Sequence, residues 1–209
     1  MDIIFVDKDQ DHVERLKQAF EGNDCVRAMV GEISEVPIEN TAFLFPCNAF
    51  LSMAYSEVGR IYDRVMFPHV QIACAERLNT LGVLDVSLGI PALPIGSAMI
   101  VDAVPHLSSY IVCAPTTFYE DQERYYPHNI YHAFFATLGV LRKFRDDKIK
   151  RLVCPRMFRG CKTEVEQVGR AYDDFMCMTD LQRFAHQAFH RETPYIFVRT
   201  IFQSNYSGE

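Results

Sequence analysis

Thr41-Ala42-Phe43-Leu44-Phe45-Pro46-Cys47-Asn48 decides how the rest of this chain is read. Five residues, Thr41 to Phe45, are apolar or β-forming without a break, too short for a helix and right for a strand buried on both faces. Pro46 cannot donate to a ladder and is expected to stop the strand. Asn48 follows as a turn former that tolerates left-handed backbone.

Outward from this strand the chain alternates. Toward the N-terminus, Ile3 to Val6 reads as a buried strand and Val26 to Val30 as another. Between them, Val13, Leu16, Ala19 and Phe20 fall at helical spacing over Gln10 to Phe20, with Asp9 or Asp11 at the start. Toward the C-terminus, a helical stretch from about Glu57 to Leu81 is expected to break at Pro68. Val86 to Gly96 reads as loop, Ala98 to Val104 and Tyr110 to Ala114 as strands, and Phe118 to Tyr126 as a Tyr-rich loop. Pro115-Thr116-Thr117 should end the second of these strands. His128 to Phe144 has helical periodicity behind Pro127, and Arg151 to Cys154 is a short strand stopped by Pro155. Thr163 and Glu166 have the spacing of a capping box at a further helix start. From Leu181 a helix and then a strand, Tyr195 to Phe202, are expected.

Repeated strand-then-helix units predict an α/β fold with helices on both faces of a mostly parallel sheet. In such sheets ligands bind outside the carboxyl ends of the strands. The strands ending at Phe45, Ala114 and Cys154 should therefore lie together. They lead into three candidate site segments: Pro46-Cys47-Asn48, Ala114-Pro115-Thr116 and Pro155-Arg156-Met157.

Composition narrows the function classes. With 209 residues, 49% of them apolar, the chain can bury a sizeable core and has no signature of disorder. The net charge of −6 offers no basic excess for general nucleic-acid binding. No apolar run approaches the ~20 residues that span a bilayer, and no basic segment with an apolar run marks a signal peptide. Seven cysteines, an odd number without a CxxC pair, read as reduced thiols of a cytoplasmic protein. His128/His132 and His186/His190 share helical i, i+4 spacing but lack an accompanying acid motif, so no metal is assigned. Cys47 reads as a buried apolar thiol.

The ordered set of segments resembles the macro domain. Gly31-Glu32-Ile33 after a strand is similar to that family's Gly-Asp-Ile. Phe43 to Phe50 resembles the strand and turn that end in its Asn. Gly96-Ser97-Ala98-Met99-Ile100, Tyr110 to Thr116, and Leu152-Val153-Cys154-Pro155 followed by Arg159-Gly160 resemble the later strands and the phosphate loop. The resemblance covers about 1–178 of a chain read as one domain, 1–209, with 179–209 as an extension. It is closest to a branch found in bacteria and their viruses.

The resemblance implies a three-layer α/β/α fold with a mixed, mostly parallel central sheet. It also implies binding of ADP-ribose or a related nucleotide diphosphate, including a modified or cyclic derivative. Glu32 stands where an acid accepts the adenine amino group, with Ile33 beside it. Asn48 stands where an amide contacts the distal ribose and, in hydrolytic members, helps catalysis. The loop carrying Tyr55 and Ser56 would wrap the distal ribose, and Pro115 and Thr116 would line the cleft. The loop of Arg156, Phe158, Arg159, Gly160, Cys161 and Lys162 would cradle the diphosphate, with Tyr55 and Phe158 as stacking candidates.

Two departures stand out. Met53-Ala54-Tyr55-Ser56-Glu57 replaces consecutive glycines, and only Gly160 remains in the second loop. Arg156, Arg159 and Lys162 surround that glycine, so side-chain cations stand where backbone N–H groups would serve. Three readings follow. One is a binder of ADP-ribose or of an ADP-ribosylated macromolecule. The second is a hydrolase that removes ADP-ribose or cleaves an ester of it. The third is a scaffold whose cleft is closed by Tyr55 or Phe158. No cofactor and no membrane partner are implied.

Overall fold

The computed structural model describes residues 1–81, 84–85, 89–118, 126–144 and 148–189, with the backbone alone at 84, 85, 184 and 187–189. Eight strands are present among these residues: β1 (Asp2–Asp7), β2 (Val26–Val30), β3 (Thr41–Asn48), β4 (Leu84–Asp85), β5 (Ile90–Pro91), β6 (Met99–Val104), β7 (Ser109–Thr117) and β8 (Arg151–Pro155). The helices are α1 (Gln10–Ala19), α2 (Glu57–Ile61), α3 (Val70–Leu81), α4 (His128–Phe144), α5 (Glu164–Cys177) and α6 (Asp180–Phe189). Six strands form one sheet in the order β2-β1-β8-β3-β7-β6, and β4 pairs with β5 in a small antiparallel ribbon. In the main sheet only β6 runs antiparallel to its neighbour.

The strands expected to share one end do so: β8, β3 and β7 are adjacent. Alternation along each strand sorts side chains to two faces. Ala42 and Leu44 join Phe5, Val112, Leu152 and Cys154 in a core with residues of α1, α4 and α5. Phe43 and Phe45 join Ile111, Cys113 and Val153 in a second core with Tyr62, Phe67, Val70, Cys74 and Leu78. Helices thus cover both faces, which makes the fold a three-layer α/β/α sandwich around a mixed, mostly parallel sheet.

Proline behaves differently from expectation in two strands. Pro46 does not end β3, and Pro115 does not end β7; they stay in register opposite Ala114 and Cys47, respectively. The pairing of β3 with β8 stops at Phe43 opposite Val153, whereas β3 keeps pairing with β7 out to Asn48. Pro46 therefore lies where β3 has already left β8, and a missing N–H costs no ladder bond on that side. The sheet splits there, between the carboxyl ends of β3 and β8.

The long helical stretch breaks as the sequence implies, but in two places. α2 passes into a π-helical turn, Tyr62–Met66, before Pro68, and α3 starts beyond His69, whose φ is +73°. Asp9 caps α1 by accepting from the N–H groups of Asp11 and His12. The box expected at α5 is absent, because the Thr163 side chain makes no cap bond. The segment read as loop over Val86 to Gly96 carries β5 at Ile90–Pro91. Most of the Tyr-rich loop and the strand expected at Tyr195 to Phe202 lie outside the described residues.

Candidate functional site

The split in the sheet opens a cleft of about 330 Å³. One wall carries Pro46, Cys47, Asn48, Thr116 and Thr117 from β3 and β7. The opposite wall is Pro155 to Arg159, following β8. Asp7, the last residue of β1, with Lys8 after it, and Gly31-Glu32-Ile33 after β2 close one end. Ser52, Tyr55, Ser56, Glu57, Val58 and Ile61 close another.

Asn48 sits beyond an irregularity in the β3–β7 pairing and is buried. Its Oδ1 accepts from the backbone N–H groups of Phe50 and Ser52, both at 3.1 Å. Those bonds turn the chain through Leu51, which takes φ +58°. Asn48 is thus the turn former of this wall as well as part of its surface.

The loop after Asn48 is fixed without glycines of its own. The Gln71 side chain accepts from Met53 N–H at 2.6 Å, Arg60 donates to the Ala54 carbonyl, and Ser56 Oγ caps α2 by accepting from Gly59 N–H. Gly59 is required for a different reason: a Cβ there would lie 2.5 Å from the Met53 carbonyl oxygen. The loop's backbone packs directly on the helix. Tyr55 is 67% exposed and lines the cleft from its rim.

The opposite loop is held from below. Glu164, the first residue of α5, is buried, and its carboxylate accepts from the N–H groups of Met157 at 2.6 Å and Phe158 at 3.3 Å. Burial raises its pKa from 4.5 to about 7, against the lowering effect of those two donors and of Arg156. His12 is equally buried with Nε2 3.8 Å from Glu164, and burial, then Arg156, lowers its pKa. Gly160 turns the loop with φ +97°, a conformation that favours glycine.

The basic residues of this loop separate. Arg156 is engaged inward: Nη1 lies 2.9 Å from Asp9 and 3.7 Å from Asp7, and Nε 3.7 Å from Glu164. Its bond to Asp9 is the main cause of the lowered Asp9 pKa. Arg159 is exposed and pairs with Glu57 at 3.0 Å. Lys162 does not line the cleft, and its carbonyl accepts from Arg15. Gly160, Cys161 and Pro115 are also outside the lining, and Cys161 packs in the α1–α4–α5 core. Nine of the expected residues do line it: Glu32, Ile33, Asn48, Tyr55, Ser56, Thr116, Arg156, Phe158 and Arg159.

Sequence reasoning passed over Asp7, Lys8, Glu57 and Glu164. The rule that ligands meet carboxyl ends of strands, applied to β1 as well, would have found Asp7 and Lys8. Lys8 pairs with Glu32 at 2.6 Å and with Glu57 at 3.2 Å, and these bonds raise its pKa. Glu32 is the N-cap residue of a short 3-10 turn, Ile33–Glu35, and its N–H donates to the Glu35 carboxylate at 3.2 Å.

Chemistry elsewhere is muted. Burial pushes the Cys47 and Cys154 thiols far up, and the contact with Cys74, then burial, does the same for Cys113, so none of the three is a thiolate nucleophile at neutral pH. His128 and His132 stack edge to face on α4, and His190 lies outside the described residues. Among the described residues no group of three His, Cys, Asp or Glu could hold a metal ion. No helix among them is long and apolar enough to cross a membrane.

Fold and cleft define a three-layer α/β/α protein with a ligand-sized groove at the carboxyl edge of its sheet. The sequence matches no protein-family model and no curated protein. Among solved structures it is similar to a mutant macrodomain of Oceanobacillus iheyensis with ADPR, at 10% identity and a TM-score of 0.38, covering 70% of this chain and 91% of that one.

Proposed function

We propose that the cleft binds ADP-ribose or a closely related nucleotide diphosphate. The observation that carries this reading is the meeting of three kinds of group in one groove of about 330 Å³, within the size range of small-molecule sites. The acceptor Glu32 stands at one end beside Lys8, Asn48 and Thr116 line one wall and Arg159 the opposite one, with Val6, Ile33, Val58 and Ile61 as apolar lining. In this reading Glu32 receives the base amino group, the cations face the diphosphate, and Asn48 and Thr116 face the distal ribose.

Binding is favoured over hydrolysis because Asn48 Oδ1 already accepts two backbone N–H groups and Cys47 is a buried thiol. A closed scaffold is not favoured, since Tyr55, 67% exposed at the rim, leaves a groove of about 330 Å³ open beneath it. A ligand that binds only the native state raises its melting temperature by mass action. A thermal-shift series with ADP-ribose, NAD, ADP and cyclic ADP-ribose tests the reading. A concentration-dependent rise with at least one of them is expected, and no rise at millimolar concentration with any of them would refute it.

A further inference from the structure

We infer that Glu57 is a built-in anion that occupies the diphosphate position of the cleft and must be displaced by the ligand's own anionic group. One Glu57 carboxylate bridges cations from two separate loops. Its Oε1 lies 3.2 Å from Lys8 Nζ, after β1, and its Oε2 lies 3.0 Å from Arg159 Nη2, after β8. A diphosphate oxygen pair would make the same two contacts.

Charge accounting supports this assignment. The charged lining is Asp7, Glu32 and Glu57 against Lys8, Arg156 and Arg159, which leaves the empty groove neutral. Arg156 is held by Asp9 at 2.9 Å with its side chain only 19% exposed, so it stays with the protein's own acids. Glu32 keeps one side of Lys8 at 2.6 Å. Glu57 is the acid that holds both remaining cations, and its removal gives the groove a positive centre. The other charge facing it is Arg60 of its own helix.

Displacement is cheap. The side chains of Lys8, Glu57 and Arg159 are 49%, 43% and 66% exposed, so these pairs are easily exchanged for water. Glu57 also begins α2, whose cap is Ser56, so its carboxylate can swing outward without disturbing the cap. The free protein thus carries a ligand mimic that lowers its affinity for weakly binding anions. This deepens the nucleotide-diphosphate reading by naming which groups receive the diphosphate.

The test is calorimetric titration of the full chain with inorganic pyrophosphate and, separately, with ADP-ribose. Glu57→Gln keeps the side-chain shape and removes the charge. It should tighten pyrophosphate binding roughly three- to tenfold, the combined worth of two exposed pairs. Arg159→Ala should weaken the parent, and the gain should shrink to half or less in Glu57→Gln/Arg159→Ala. Glu21→Gln, an exposed acid away from the groove, should give no gain. Melting curves confirm that each variant is folded.

The inference is overturned if Glu57→Gln binds pyrophosphate no tighter than the parent. The same holds if the gain survives Arg159→Ala in full, if Glu21→Gln reproduces it, or if neither parent nor variant binds pyrophosphate at millimolar concentration. Tighter pyrophosphate binding with ADP-ribose silent would uphold the anion position and refute the nucleotide reading. ADP-ribose binding without any Glu57→Gln effect would do the reverse.

Discussion

Replacing Glu164 by Gln should change stability by an amount that depends on pH. In the folded chain the Glu164 pKa is raised from 4.5 to about 7 because the carboxylate is buried. Between these values the native state keeps a proton that the unfolded chain has lost. Its contribution is therefore greatest below pH ~4.5, falls as pH rises through the window, and levels off above pH ~7. At about 1.4 kcal/mol per pH unit the rise corresponds to roughly 3 kcal/mol.

Glutamine escapes that loss but not the geometry. Its carbonyl accepts one of the two N–H groups of Met157 and Phe158, and its amide faces the other, at a cost of ~1–3 kcal/mol for the unmet donor. The variant should be the less stable protein near pH 5, and the gap should close or reverse by pH 8. His12 acts in the opposite sense, because its pKa is lowered on folding, so stability is lost as pH falls below ~6.5. His12 Nε2 lies 3.8 Å from Glu164, so the two titrations are linked, and repeating the comparison in a His12→Gln background isolates Glu164. Urea unfolding of both proteins at pH 5, 6, 7 and 8, under reducing conditions, gives the difference directly. A stability difference that is constant across this range would refute the argument.

Three further outcomes are expected. Gly59→Ala should destabilise by about 1–3 kcal/mol despite alanine's better helix propensity, because the new methyl meets the Met53 backbone at 2.5 Å; urea unfolding reads it, and an unchanged midpoint would contradict the close packing. Tyr62→Phe removes the donor to the buried Leu44 carbonyl and should cost ~1–2 kcal/mol with no change in the cleft; equal stability in a denaturation series would mean that carbonyl is otherwise satisfied. In alkylation of the native protein, Cys25 and Cys177, which are exposed, should react well before the five buried cysteines; early labelling of Cys47, located by peptide mass, would contradict its burial.

The local sequence determined most elements and the sheet type. The run Thr41 to Phe45 could only be a doubly buried strand, and its two faces feed two cores. The α4 span His128–Phe144 was legible from its period behind Pro127. Asp9 as cap and Pro68 as breaker follow from side chains acting on their own backbone, which is chemistry a few residues of sequence contain. The same locality explains why β3, β7 and β8 were found to lead to one edge, since each ends in a Pro-containing segment.

What remained hidden depends on partners distant in sequence. Pro46 and Pro115 read as strand stops, and only the departure of β3 from β8 after Phe43 makes Pro46 harmless inside β3. Arg156, Arg159 and Lys162 look alike in sequence, yet the fold ties the first to Asp9, sets the second against Glu57 and turns the third away from the cleft. Lys8 and Glu57 are 49 positions apart and meet only because β1 and the loop after β3 converge on the split in the sheet. Charges and prolines have no local signature of their task, because electrostatic pairing and ladder bonds are settled across strands by the tertiary structure.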